Sequence, residues 1–507
     1  MSKAIGIDLG FSKCCVAVIK DNDTIIIPVD GDAYTKPSVI SYTSPKCIFG
    51  AVAVRQANLN LGNTISGVKH LIGRQFTSLS GLRDMYRTFS LVNIDNRPYV
   101  EIECQNHIRR VSPQEIIALM LLDLKHTTEM FLEETVSDVV LTVPAMFTDA
   151  QRRATKEAGL VAGFQGVTLL NETTAAALTY GMECTEEFEK KKVVILDMGG
   201  GQFCASAIEF DLGVIEVLSV SGSEALGGNT YDESIMTEVL NIFLNTHKEY
   251  RQLSFEASAL HRLRSECEKV KQKLNYAKKA RIWVNSFVDH IDLDVTVTRE
   301  RFVEITQPLW NQTVACIEDA LQSAALTNTE LDEIVLLGGS TNMKIVSDGI
   351  HALFPNVPIR TPLNAMTMVA CGAAAHAGKL YGMLSDRYSK WEFFDCIPRS
   401  IGVRSYDHKI MLVFPRGAVV PNERLITQKT TMDNQTRILL SVYEGEEQMD
   451  DKCLLDNIII QNLEPKPRGA VTVDIKFSLD REGILTAKVI GQNMETSFQF
   501  QTQRIGT

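Results

Sequence analysis

The chain has no apolar run approaching the roughly 18 residues that a membrane-spanning helix requires. It also has no Cys-x-x-Cys pair and no surplus of positive charge. Each absence removes a class of function. With no spanning segment, and with Met1-Ser2-Lys3 leading straight into a strand-like run, neither membrane insertion nor secretion is expected. The 11 cysteines stand singly except for Cys14-Cys15 and lack partners at ligand spacing, so they read as reduced thiols of a cytosolic protein without a zinc site. A net charge of −11 argues against a general nucleic-acid-binding surface. What remains is ordinary in amount, 45% hydrophobic and 22% charged, and 507 residues exceed what one core supports. Two or three domains are expected.

The stretch that organises the chain runs from Lys192 to Phe203, where the apolar run Val193-Val194-Ile195-Leu196 ends in Asp197-Met198-Gly199-Gly200-Gly201-Gln202. It predicts a buried strand entering a turn where backbone approaches a ligand closely. Successive N–H groups of such glycines converge into an anion-binding nest, and a carboxylate beside them can hold a hydrated divalent cation. Taken alone, the pattern fits an ordinary strand and hairpin with an exposed Asp equally well. The chain repeats it, however. Ala4-Ile5-Gly6-Ile7-Asp8-Leu9-Gly10, followed by an apolar run from Cys14 to Ile19, has the same grammar, which suggests duplicated halves offering acidic phosphate hairpins to one nucleotide. Glu333 to Ser340 is a third strand entering a Gly-Gly turn, where a nucleotide could lie against bare backbone.

Other elements follow in order. Lys69, in Val68-Lys69-His70-Leu71-Ile72-Gly73-Arg74, is either a surface group with a buried stem or a cation aimed at a transferring phosphoryl group. Ser112-Pro113-Gln114-Glu115 predicts a capped helix to about Leu132, and Thr148-Asp149-Ala150-Gln151 caps another through Gly159. Between them a strand stops at Pro144. Thr168 to Glu172 predicts a short strand that delivers a carboxylate at its end, either a helix-dipole partner or a group that positions a water. Gly227-Gly228 is expected to open one long helical region reaching Lys279, within which Glu268 and Lys271 share a face. Gly372-Ala373-Ala374-Ala375 predicts a small-residue helix suited to tight packing. From about residue 396 the pattern becomes alternation punctuated by Pro and Gly, which predicts an all-β sandwich, and Trp391-Glu392-Phe393-Phe394-Asp395 is too apolar for a free spacer.

Taken jointly and in order, these motifs resemble the seventy-kilodalton heat-shock chaperones of the DnaK type along nearly the whole chain. Thr142-Val143-Pro144-Ala145, Asn171-Glu172, Leu226-Gly227-Gly228, Gly338-Gly339-Ser340-Thr341 and Tyr443-Glu444-Gly445-Glu446 complete the match. The resemblance implies an α/β actin-like two-lobed ATPase domain built from duplicated ribonuclease-H-like halves (1–380), a linker (381–395) and a peptide-binding β-sandwich (396–507). It implies ATP or ADP with Mg2+, and K+ as a further cation. Asp8 and Asp197 would sit at the metal through water, Lys69 at the transferring phosphoryl group and Glu172 near the attacking water. Gly10, Phe11, Ser12, Gly199, Gly200, Gly201 and Gln202 would hold phosphates. Glu268, Lys271, Gly338, Gly339, Ser340 and Asn342 would bracket the adenosine, and Pro144 with Arg152 would relay to the sandwich.

The chain departs from that family's pattern at several of these positions. Phe11 and Gln202 replace phosphate-touching threonines, Cys204 replaces an aspartate that organises metal and water, and Thr173 replaces a proline. Gln272 and Asn342 replace arginines around the adenine, and Met366-Thr367 replaces an acidic pair. Tyr406-Asp407-His408-Lys409 replaces a small-residue arch over the peptide groove, and the chain ends at Thr507 with no helical lid or acidic tail expected. Leu412-Val413-Phe414-Pro415 is similar to short, ribosome-associated members. Two readings result. One is an atypical chaperone that hydrolyses ATP slowly and assists new chains with a J-domain cochaperone and a nucleotide-exchange factor, binding unfolded or nascent polypeptide weakly. The other is a nucleotide-stabilised regulatory partner that docks a J-domain protein or the ribosome. A sugar kinase or filament former on the same lobed architecture would explain the glycines and leave the sandwich without a role.

Overall fold

A computed structural model describes residues 3–499 except 44–45, 80–87, 105–106, 184–189, 363–364, 384–390, 405–409, 446–452 and 492–493. The expected arch Tyr406 to Lys409 lies outside the described residues, as does Glu446.

Two sheets of like topology form the first part. In one, the antiparallel hairpin Lys3–Leu9 and Lys13–Lys20 is extended by Asp23–Ile27 on one side and by the parallel strands Val136–Val143 and Gly166–Asn171 on the other. In the other, Lys191–Met198, Phe203–Asp211 and Val214–Ser223 form the antiparallel core, with Glu333–Leu337 running parallel to the first of them. Both central strands are buried along most of their length, as near-continuous Val, Ile and Leu text requires. Helices cover the sheets. The capping boxes at Ser112 and Thr148 close as expected, starting helices Pro113–Leu132 and Asp149–Val161.

The two halves meet along a seam of small side chains. Helix Glu172–Glu183 lies on helix Met368–Leu380 so closely that a methyl on Gly372 would stand 1.8 Å from the carbonyl oxygen of Ala175. Likewise, a methyl on Gly6 would stand 2.1 Å from the amide nitrogen of Ala374. Alanine runs on both helices combine high helix propensity with the short reach this approach needs.

Two expectations are corrected. The helical region after Gly228 is not continuous: it comprises Gly228–Thr246 and Ala257–Lys273, and Lys279 opens the strand Lys279–Val288. Phe243, His247, Tyr250, Phe255 and Phe287 pack together around the break, so burial of aromatic rings overrides the run of helix-forming residues. Glu172 does not close the preceding strand; it is the first residue of its helix.

The sandwich has two four-stranded sheets. One is ordered Ile410–Phe414, Ile401–Arg404, Ile438–Glu444, Leu454–Ile460, and the other Asn422–Lys429, Thr472–Leu479, Leu485–Gly491, Met494–Gln499. Val473, Ile475, Phe477 and Leu479 alternate inward as the period-two pattern predicts. The apolar linker segment is docked as a strand. Glu392–Cys396 runs parallel to Val214–Ser223 and pairs on its other edge with Val419–Val420, so one seven-stranded sheet crosses from the lobes into the sandwich.

Gly372→Ala forces the seam apart, and overpacking of this kind costs about 1–3 kcal/mol. The variant should unfold at lower urea concentration than the wild type, whereas an unchanged midpoint would show that the seam yields without cost.

Candidate functional site

The three glycine turns converge on a single cleft of about 280 Å³. The first two hairpins face one another so closely that a side chain on Gly200 would meet the Ser12 hydroxyl at 1.9 Å. The third turn bends through Gly338 at φ +78°, where a Cβ would meet the Met198 carbonyl oxygen at 2.3 Å. Ser340 Oγ donates to the Gly199 carbonyl at 2.8 Å, and the Gly228 amide donates to the same carbonyl at 3.0 Å. Turns and helix start are thereby tied together at one corner.

The structure brings most of the expected residues to this cleft. Asp8, Gly10, Phe11, Ser12, Glu172 and Asp197 line it, as do Gly199, Gly200 and Gln202. So do Glu268, Lys271, Gly338, Gly339 and Ser340. Lys69, Gly201 and Asn342 do not: Lys69 is buried just beyond the carboxylates, and Gly201 lies under the Phe11 ring. Asn342 is exposed, its amide donating to the Gly339 carbonyl at 3.4 Å. Lys271 bonds Asp232 at 2.7 Å and the Gly228 carbonyl at 2.8 Å. Its partner is therefore not Glu268, the neighbour on its own helix face. Sequence reasoning missed Asp232, whose signal is its place one turn inside the helix that Gly228 opens. It also missed Asn229 and Asn275, which line the cleft and carry no pattern of their own.

Charge in the cleft is unbalanced. Lys69 Nζ donates to Glu172 Oε1 at 2.5 Å and also to the Leu9 carbonyl. Asp8 and Asp197 stand nearby. Burial and the Glu172 charge push the Asp8 carboxyl up to about 7, against the pull of Lys69 and a 3.2 Å bond from Thr142. Burial, Glu172 and Asp8 push Asp197 up to about 8. Three buried carboxylates thus share one ammonium, a deficit of the sign that a divalent cation fills. Among the described residues no three candidate ligands cluster closely enough to bind a metal directly.

The other oxygen of Glu172 is also taken, because Gln202 Nε2 donates to Oε2. Phe11 packs against His70 with ring centroids 4.2 Å apart and the rings tilted by 36°, and a Cβ on Gly201 would collide with the Phe11 ring at 2.5 Å. Burial and the adjacent Arg74 hold His70 neutral, its pKa lowered to about 3. Cys204, packed in the core, has its thiol pushed well above the usual range by burial. It lends the cleft no charge.

Arg152 lies where helix Asp149–Val161 meets the sandwich. Its guanidinium bonds Asn171 Oδ1 at 2.9 Å, the Ala145 carbonyl at 3.0 Å, the Phe147 carbonyl at 3.2 Å and, across to the sandwich, the Glu482 carbonyl at 3.1 Å. Around it, Lys156 pairs with Glu482 at 2.7 Å and the Leu485 amide donates to Asp149 at 2.8 Å. Thr174 donates to Asp395 of the linker strand at 2.9 Å. Pro144 ends its strand, and its carbonyl accepts from the Phe147 amide at 3.0 Å. On the far side, Arg416 of the sandwich pairs with Asp319 at 2.5 Å and donates to the Val220 carbonyl at 3.0 Å.

The family model for Hsp70 protein matches residues 4–504. A heat shock 70 kDa protein of Neurospora crassa is 35% identical over 497 residues, covering 97% of this chain and 76% of that protein. A heat shock 70 kDa protein of Oryza sativa is 36% identical over 486 residues, covering 95% and 72%. A ribosome-associated molecular chaperone of Eremothecium gossypii is 34% identical over 492 residues, covering 96% and 80%.

Removing Arg152 strands three buried acceptors and one part-buried one, and a buried polar group left without its partner costs about 1–3 kcal/mol. In Arg152→Ala, hydrogen exchange across Glu392–Cys396 should accelerate relative to wild type while Lys191–Met198 stays protected. Equal protection of the linker strand in both proteins would show that Arg152 does not hold the docked arrangement.

Proposed function

The chain belongs to the Hsp70 family, and from that premise we propose a chaperone of the cytosol that binds ATP with Mg2+, hydrolyses it slowly and assists the folding of new chains with a J-domain partner. The likeness to ribosome-associated molecular chaperones supports work on nascent polypeptide. Asp8 and Asp197 hold the hydrated Mg2+, which when bound neutralises phosphate charge, and Lys69 stands behind them as the fixed cation. Gly199, Gly200, Gly10 and Ser12 offer backbone to the phosphates, and Lys271 with Ser340 frames the nucleoside end.

The observation that carries slow hydrolysis is the bonding of Glu172. A carboxylate that orients an attacking water needs an oxygen directed at that water. Here one oxygen accepts from Lys69 and the other from Gln202, so water must compete with a side-chain amide already seated. Cys204 adds no second carboxylate to help it.

The same contact favours a second reading, in which ATP is kept intact as a stabilising ligand and the chain acts by docking a J-domain protein or the ribosome. Single-turnover cleavage of labelled ATP, with binding recorded in the same sample and with or without a J-domain, separates the two. Under the first reading the wild type cleaves slowly and the J-domain accelerates it. Gln202→Thr combined with Cys204→Asp, which frees Glu172 and returns a carboxylate, should raise the rate by about 10²-fold. Tight binding with no cleavage in either protein supports the second reading, and failure of the wild type to bind ATP overturns both.

A further inference from the structure

Behind the nucleotide cleft lies a second cavity, of about 290 Å³, between helices Arg299–Ser323 and Lys344–Leu353. Half of its lining is aromatic or aliphatic, Phe302, Val303, Trp310, Ile345 and Leu274, and the other half is polar. Two sequence features build it. Pro308, inside the first helix, has no amide to donate to the Glu304 carbonyl and loosens that helix beside the cavity. Gly349, inside the second, lets the Trp310 indole lie on the helix backbone, because a Cβ there would meet the ring at 2.2 Å. A mid-helix glycine costs roughly 0.5–1 kcal/mol relative to alanine, and here it sets a flat aromatic wall.

The rim is cationic in a chain that is acidic overall. The loop that supplies Leu274 and Asn275 also carries Tyr276 and Lys278, and Lys273 and Lys279 flank it at the end of one helix and the start of a strand; all four are exposed, Tyr276 79% so. None of these three lysines forms an ion pair with a described residue. The Lys278 carbonyl accepts from the Arg299 amide at 2.8 Å, and Arg299 Nε donates to the Leu274 carbonyl at 2.7 Å, so the loop is pinned to the cavity mouth. Lys344 also stands there, paired with Asp348 at 2.7 Å. Glu300, whose carboxyl is held below its usual range mainly by bonds at its own helix start, lies close enough to feel Lys278.

At about 290 Å³ the cavity is as large as the nucleotide cleft, and its apolar wall of Phe302, Val303, Trp310 and Ile345 can receive a large side chain. Lys273, Lys278 and Lys279 do not line the cavity itself but flank the residues that do, Leu274 and Asn275. Aromatic anchors seated in a pocket carry most of the energy of protein contacts, and complementary charge around them steers the partner. We propose that this cavity and its rim dock an acidic segment of a partner protein, with an aromatic or large aliphatic side chain against Trp310 and Phe302 and flanking carboxylates on Lys273, Lys278 and Lys279. Glu300 and Asp348 interrupt the rim, which an irregular acidic peptide tolerates better than an evenly charged phosphate backbone. Asn275 lines both this cavity and the nucleotide cleft, so the two sites share a wall.

The test uses the full chain and a fluorescein-labelled peptide, Asp-Glu-Asp-Phe-Asp-Glu-Asp, followed by fluorescence anisotropy at two salt concentrations. Saturable binding is expected, weakened at least about tenfold when Phe is replaced by Ala and likewise when every acid is replaced by its amide; a factor of ten corresponds to about 1.4 kcal/mol. Lys273→Glu with Lys278→Glu should weaken binding by a similar factor. Val303→Trp, which fills the cavity from a partly exposed position, should abolish the preference for Phe over Ala. A labelled uridine decamer serves as the competing chemistry. No saturable peptide binding, equal binding of the amide peptide, indifference to the variants, or tighter binding of the decamer would each overturn the proposal.

Discussion

The structure depends on backbone packed against backbone where the two halves meet. Gly372 admits the Ala175 carbonyl, and Gly6 admits the amide of Ala374. These two contacts fix helix Glu172–Glu183 and strand Lys3–Leu9 against the same helix, Met368–Leu380. Asp8 sits two residues beyond Gly6, and Glu172 three before Ala175. The separation of Asp8 and Glu172 is therefore set by glycine and alanine outside the cleft, where no polar side chain is involved. Like charges in a buried site repel, and only a close-packed frame holds them together.

That frame gives Glu172 its peculiar position. It is the first residue of its helix, where a carboxylate is favoured by the helix dipole, yet it lies between two donors of unlike strength. Lys69 stabilises its charge, while Gln202 occupies space on its other side. Under the proposed function, the groups assigned to cation and phosphate are present for that work while the one assigned to water is engaged on both oxygens. Phe11, wedged between His70 and Gly201, acts the same way, replacing hydrogen-bonding capacity with packing at the hairpin tip.

Much of this was legible in the sequence because it is written in local grammar. Strand, acid, glycine is a backbone requirement, and its repetition at Asp8 and Asp197, with the strand entering a Gly-Gly turn at Gly338, marked three turns that fold into one cleft. The capping boxes at Ser112 and Thr148 are equally local, and both formed. What escaped depends on contacts between distant segments. The break at residues 247–256 comes from Phe243 and Phe287 meeting across the fold, which no helix period announces. Lys271 turned from Glu268 to Asp232 because the helix pair Gly228–Thr246 and Ala257–Lys273 places a buried carboxylate closer than its own exposed neighbour. Trp391 to Asp395 announced by composition that the linker docks, but its pairing with Val214 to Glu216 follows only from the free edge of that sheet, an open row of donors and acceptors.

One turn of backbone joins the cleft to the sandwich. Asn171 bonds Arg152, Glu172 faces Lys69, Thr173 accepts from Ser206 at 2.9 Å, and Thr174 bonds Asp395 of the linker strand. Four consecutive residues thus touch the domain interface, the charge cluster, the central sheet and the linker in turn. A helix start is a stiff object, since its first turn fixes several dihedrals at once. A displacement of the Glu172 backbone, unlike a rotation of its side chain, would bear on the other three bonds within residues 171–174. Because Arg152 reaches the Glu482 carbonyl and Asp395 continues into the strand paired with Val420, the cost of that disturbance falls on the docking of the sandwich. The carboxylate that bonds Gln202 and the hydroxyl that bonds the linker strand thus stand two residues apart on the same first helical turn.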